Sequence, residues 1–148
     1  MEHRLLYPEF SLRVPDEWKD ATVHRFSLPR DDGASDDIIV TVDHQPTPPG
    51  LKEYAQTAMR AMERTLKGYK LLKRGEMVLD ARLPGYEVVY RWQPTDGVKQ
   101  YRQMVFVFAN QAAFSICVTF TKKAWKVRGA EIGKLIKTFS VPETVPDD

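Results

Sequence analysis

A single cysteine, Cys117, occurs in the chain, so no intrachain disulfide can form and no cysteine cluster is available to hold zinc. Charge of one sign is not in excess either. The 22 Lys and Arg residues against 20 Asp and Glu leave a formal net charge of +2, too even to select a polyanionic partner. No stretch reaches the ~18 consecutive apolar residues of a membrane-spanning helix, so direct membrane insertion is not expected. The opening Met-Glu-His-Arg-Leu-Leu-Tyr-Pro-Glu has no basic segment running into an apolar one and no lipoprotein-type cysteine, which predicts a cytoplasmic protein. Phosphate-cradling glycine loops, a serine nucleophile elbow and a metalloprotease motif are all missing, and the expectation is a non-enzyme. Stability must therefore come from packing. With 148 residues, 43% of them hydrophobic, the chain suits one core: a single domain over 1–141 and a short acidic tail, 142–148.

Short extended runs come first, Phe10–Val14 and Thr22–Leu28, divided by the turn-like Pro15–Asp20. Alternation in the second places Thr22, His24, Phe26 and Leu28 on one face, read as the core face, with Val23, Arg25 and Ser27 opposite. A polar connection, residues 30–37, leads to a β-branched strand over Ile38–Val42. The prolines of Gln45–Gly50 end the sheet pattern, and a helix is predicted over Leu51–Lys67. Its apolar stripe, Leu51, Tyr54, Ala55, Ala58, Met59, Met62 and Leu66, recurs every three or four residues. Further strands follow at Tyr69–Arg74, Met77–Leu79, Tyr86–Trp92, Gln100–Ala109 and Ala113–Thr121. A last helix, Ala124–Phe139, offers Trp125, Ile132, Leu135, Ile136 and Phe139 as its buried face. This order predicts an α/β (α+β) fold with a largely antiparallel sheet flanked by helices.

Few residues invite chemistry. His3, His24 and His44 are dispersed, with no Glu or Cys at ligand spacing, and no metal site is expected. Cys117 lies in an apolar strand, where cysteine acts as a small hydrophobe. The acidic run Asp31–Asp37 lacks the alternating oxygen ligands of a calcium loop. Lys122, Lys123, Lys126, Arg128, Lys134 and Lys137 gather on the last helix and read as its solvated face, so no nucleic-acid partner is expected. The first helix is more suggestive, since its wide stripe is rich in Ala and Met, residues suited to close and adaptable contact.

The segment Phe10-Ser11-Leu12-Arg13-Val14-Pro15-Asp16-Glu17-Trp18-Lys19-Asp20, followed by Phe26-Ser27-Leu28-Pro29, resembles the opening of DcrB-like domains. The run from Tyr54 to Arg74, and Tyr90-Arg91-Trp92 followed by Tyr101-Arg102-Gln103, extend the resemblance over nearly the whole chain. Order and spacing together look most like the Eag chaperones of type VI secretion effectors. The resemblance implies a Mog1/PsbP-like α/β/α sandwich without cofactor, and a homodimer that holds the hydrophobic N-terminal transmembrane segment of a secreted effector. By position, Val23, Arg25, Ile39, Ala58, Met62, Leu66 and Gln103 resemble the residues lining the effector-binding groove, with Gln103 as the polar contact. Arg25 departs from the apolar residue expected there, although its stem can pack while its head stays solvated. Two other readings stand beside this one: these residues only pack helix on sheet, or the domain is a regulatory or scaffolding module that binds a folded protein.

Overall fold

The computed structural model describes residues 2–6, 11–16, 23–29, 35–44, 46–47, 49–95 and 97–142. Over these the chain forms β1 (Glu2–Leu6), β2 (Ser11–Pro15), β3 (Val23–Pro29), β4 (Ser35–Asp43), α1 (Leu51–Thr65), β5 (Lys70–Val78), β6 (Pro84–Thr95), β7 (Val98–Ala109), β8 (Ala112–Phe120) and α2 (Lys122–Lys137). β1 and β2 pair with each other, and the remaining strands form one antiparallel sheet in the order β3-β4-β8-β7-β6-β5. The tail assigned to 142–148 lies outside the described residues except for Pro142.

Strands β6, β7 and β8 carry apolar side chains on both faces, so each face must be covered. α1 covers one. Its stripe packs Ala55 and Met59 on Tyr86, Val88, Tyr90, Trp92 and Phe106, with Leu51, Tyr54, Ala58, Met62 and Leu66 around them. α2 covers the other, where Ala124, Ile132 and Ile136 meet Tyr101, Val105, Val107, Ile116, Val118 and Phe120. The result is the α/β/α sandwich expected from the sequence. Thr121 caps α2, its hydroxyl accepting from the Ala124 N–H at 3.1 Å. Each helix is also fastened just past or at its C-terminal end: the Gln93 N–H donates to the Lys67 carbonyl at 2.8 Å, and the Asp80 N–H to the Lys137 carbonyl at 2.9 Å.

Two positions are fixed by close geometry. At Gly85 a Cβ would stand 2.9 Å from Leu79 Cδ1 and 3.3 Å from Val105 Cγ1, so β6 reaches the core only without a side chain there. Asn110 and Gln111, at φ 52° and 65°, make the two-residue turn between β7 and β8, whose left-handed backbone matches the twist of the paired strands.

Several boundaries differ from expectation. β4 starts at Ser35, because Ser27 and Arg25 of β3 supply partners for Asp37 and let the acidic residues enter the ladder. β5 is one strand through Gly75, with an irregularity between Leu71 and Lys73. β6 takes in both Pro84 and Pro94, which sit near its ends. α1 stops two residues early, the chain turning at Gly68 with φ 69°. β1 is a strand that sequence reasoning did not anticipate. Phe26, read as core, is 61% exposed, and Leu135, read as buried, is 50% exposed.

Candidate functional site

α1 lies over β6 and β7, leaving β8, β4 and β3 uncovered on that face by any helix among the described residues. At about 4.8 Å per strand, the uncovered floor is about 10–15 Å wide. An α-helix with its side chains is about 10–12 Å across. Among the described residues the open strip is thus a trough of helix width, with α1 as one wall.

Cross-strand register builds its floor. One row runs Val88, Met104, Cys117, Ile39, Arg25, from beneath α1 to the sheet edge. A second runs Phe106, Ser115, Thr41, Val23. Val23 is 57% exposed and the Arg25 side chain 64%, whereas Ile39 is half-buried. Ala58, Met62 and Leu66 are half-buried on α1 and pack against the same aromatic cluster as Tyr90 and Trp92. Six of the seven residues singled out from the sequence therefore share one face: Val23, Arg25 and Ile39 on the floor, and Ala58, Met62 and Leu66 on the wall.

Gln103 does not join them. Strand alternation turns it to the α2 face, where its neighbours in register are Val89 and Val118. It is 6% exposed there, and its Nε2 donates to Glu87 Oε2 at 2.9 Å. Lys73 Nζ approaches the other oxygen of that carboxylate at 3.0 Å. Among the described residues the Gln103 carbonyl oxygen is buried without a hydrogen-bond partner.

The polar residue that β7 does present to the trough side is the preceding one, Arg102. Its NH1 donates to the Tyr90 hydroxyl at 2.7 Å and its Nε to Thr119 Oγ1 at 3.2 Å, the residues beside it in register on β6 and β8. The guanidinium carbon lies 4.4 Å from the Trp92 ring centroid and 5.7 Å from that of Tyr90. Burial pushes Tyr90 up to about 12, against the opposing pull of Arg102, so the phenol stays protonated. The Cys117 thiol is likewise raised by burial, with Arg102 acting the other way. Towards the opposite end of α1, the Tyr54 hydroxyl donates to Asp43 Oδ2 at 3.1 Å and ties the helix to β4. Burial, then the Asp43 hydrogen bond, raises Tyr54 to about 12. Neither Arg102 nor the Tyr54–Asp43 tie was singled out from the sequence. The adjacent register of Tyr90 and Arg102 is the only signal that pointed there, and it required knowing the strand pairing.

The α2 face of the same strand end differs. Phe26, Ile38, Val40, Ile116, Val118 and Leu135 line an apolar cavity of about 430 Å³ beside Phe139. Among the described residues no group of His, Cys, Asp and Glu is placed to hold a metal, and His24 and His44 are both exposed. No helix of the described residues is long and apolar enough to cross a membrane.

Comparison with known proteins places this architecture. The sequence profile of the DcrB family matches residues 9–138. The chain belongs to the DcrB family. It is similar to the Pseudomonas aeruginosa protein named Effector EagT6, with 26% identity over 129 residues, 80% of this chain and 86% of that one. Among solved structures it resembles PA94, a Pseudomonas aeruginosa protein of unknown function, at a TM-score of 0.76 and 21% identity over 97% of this chain and 99% of that one. Cyanobacterial PsbP from Synechocystis sp. PCC 6803 shares the fold at a TM-score of 0.59 and 10% identity, covering 95% and 92% of the two chains. The DcrB member thus has the PsbP-like sandwich that the resemblance implied.

Proposed function

We propose that this DcrB-family protein is a cytoplasmic chaperone or adaptor, working as a homodimer, that binds and shields the hydrophobic N-terminal transmembrane segment of a type VI secretion effector. It needs no catalysis and no cofactor. The observation that carries the reading is the helix-wide trough between α1 and the β3 edge, and the likeness to EagT6 supports it. A bilayer-spanning helix in water exposes apolar area, and each Å² removed contributes about 25 cal/mol. Val23, Ile39, Ala58, Met62 and Leu66 supply apolar contacts, while Arg25 lies at the outer edge with its charge held by Asp37 at 3.3 Å.

Co-expression with the N-terminal segment of a type VI effector, followed by size-exclusion chromatography with mass determination, tests it. A soluble complex containing two copies of this chain, lost when the apolar segment is deleted, is expected. Met62→Asp should abolish co-elution while circular dichroism stays native, and Leu135→Asp on the α2 face should not affect it. The reverse pattern moves the site to the apolar cavity. Failure to hold the segment at all, with charge reversals on the surface disrupting some folded partner instead, supports the scaffolding module.

A further inference from the structure

Among the described residues no carboxylate pairs with Arg102, and its contacts there are two hydroxyls and two aromatic rings. A guanidinium has five N–H donors, and the Tyr90 and Thr119 bonds engage Nε and one hydrogen of NH1. Among the described residues the remaining donors have no partner. The side chain is also held in place. Tyr90 and Thr119 grip it from the neighbouring strands, Trp92 stacks on it, and Tyr90 in turn donates towards Met104 Sδ at 3.9 Å. Met62 and Leu66 of the α1 wall pack against the apolar cluster that includes Tyr90 and Trp92, the two rings beside the guanidinium.

We infer that Arg102 is a specificity-determining residue, and that the segment docking in the trough carries a carboxylate side chain, Asp or Glu, within its apolar stretch. The inference rests on the chaperone reading and names the chemistry of its client. A uniformly apolar helix laid over this position would desolvate an uncompensated positive charge, which is strongly unfavourable. A carboxylate meets the planar fork with charge-assisted, bidentate hydrogen bonds, the strongest pairing open to arginine. Because Tyr90, Thr119 and Trp92 pre-orient the fork, little side-chain freedom is lost when the pair forms. Arg25 does not serve this purpose, since it is highly exposed and already paired with Asp37.

The test uses three synthetic 20-residue Leu/Ala helices with lysine-tagged ends and a fluorescent label, identical except for Glu, Gln or Leu at the centre. Fluorescence anisotropy on the full chain should rank them Glu, then Gln, then Leu, with roughly ten- to a hundredfold between first and last. Arg102→Met should erase or invert that order. Arg102→Lys, which keeps the charge and loses the fork, should retain only part of it. Equal binding of all three peptides to the unaltered protein overturns the inference and leaves the chaperone reading standing. Binding of none overturns both. The peptide series on the unaltered chain decides the matter even if the Arg102 variants fail to fold.

Discussion

The β3–β4 end of the sheet projects past both helices, and its two faces, made by the same three strands, β3, β4 and β8, differ in chemistry. On the α1 side Arg25, Ser27, Asp37, Thr41 and Thr119 interrupt Val23, Ile39 and Cys117. On the α2 side Phe26, Ile38, Val40, Ile116 and Val118 form an apolar lining, with Thr138 also lining it and the exposed His24 beside Val40 in register. One five-residue stretch, Val23 to Ser27, contributes to both, because successive side chains point to opposite faces. Shape separates the faces as firmly as polarity does. The cavity of about 430 Å³ falls within the range of small-ligand pockets, about 300–1,000 Å³. The trough, uncovered by any helix among the described residues, is as wide as a helix. The more apolar face is therefore the less suited to an extended helical partner.

Substitutions can break or sharpen this contrast. The largest effect is expected for Phe106→Ala, which removes a ring 2% exposed and packed edge-on to Tyr54 at 5.9 Å. A loss of about 3–5 kcal/mol in urea unfolding, with the α1 wall loosened first, would fit a core aromatic. Gly85→Ala strikes the α2 layer instead, driving a methyl to 2.9 Å from Leu79 Cδ1. About 1–3 kcal/mol should be lost, with no change in peptide affinity.

Alkali distinguishes the faces without mutation. Tyr54 and Tyr90, both on the α1 side, are raised to about 12 from 10.0. The folded state then holds protons that the unfolded chain releases, so their contribution is intact below pH 10 and fades as pH rises through 12. The midpoint of urea unfolding should fall across that window, and Tyr54→Phe should flatten part of the slope. Smallest of all is Gln103→Met, which removes both the hydrogen bond to Glu87 and an unpartnered buried oxygen. The two nearly offset, leaving a stability change within about 1 kcal/mol. Peptide binding should be unaffected, since the side chain lies on the far face; a large loss of binding would mean that Gln103 contacts the client after all.

The sequence made α1 legible because its apolar period of 3.6 occurs in only one regular structure, and every stripe residue does pack on the sheet. The antiparallel sheet between helices was equally readable from turn spacing. Facing was harder. β7 is apolar on both sides, with Met104 and Phe106 towards α1 and Val105 and Val107 towards α2, so period-two reasoning cannot choose a side for Gln103. The start of β4 was hidden because Ser35-Asp36-Asp37 reads as a loop until its partners on β3 are known. β5 looked like two strands because Lys73-Arg74-Gly75-Glu76 is polar, as an edge strand permits. Arg102 was overlooked for a related reason. A charged residue in a strand suggests solvent, and only the paired strands reveal the hydroxyls and rings that hold it.

The two backbone ties at Lys67 and Lys137 set where each helix is anchored in time as well as in space. Local opening of a helix end must break the tertiary hydrogen bonds that hold it, so neither last turn can lift while its tie is intact. The Gln93 and Asp80 amides then act as built-in reporters, each exchanging only when its helix end lifts from the sheet. A partner seated against α1 should protect the Gln93 amide and leave that of Asp80 at its resting rate.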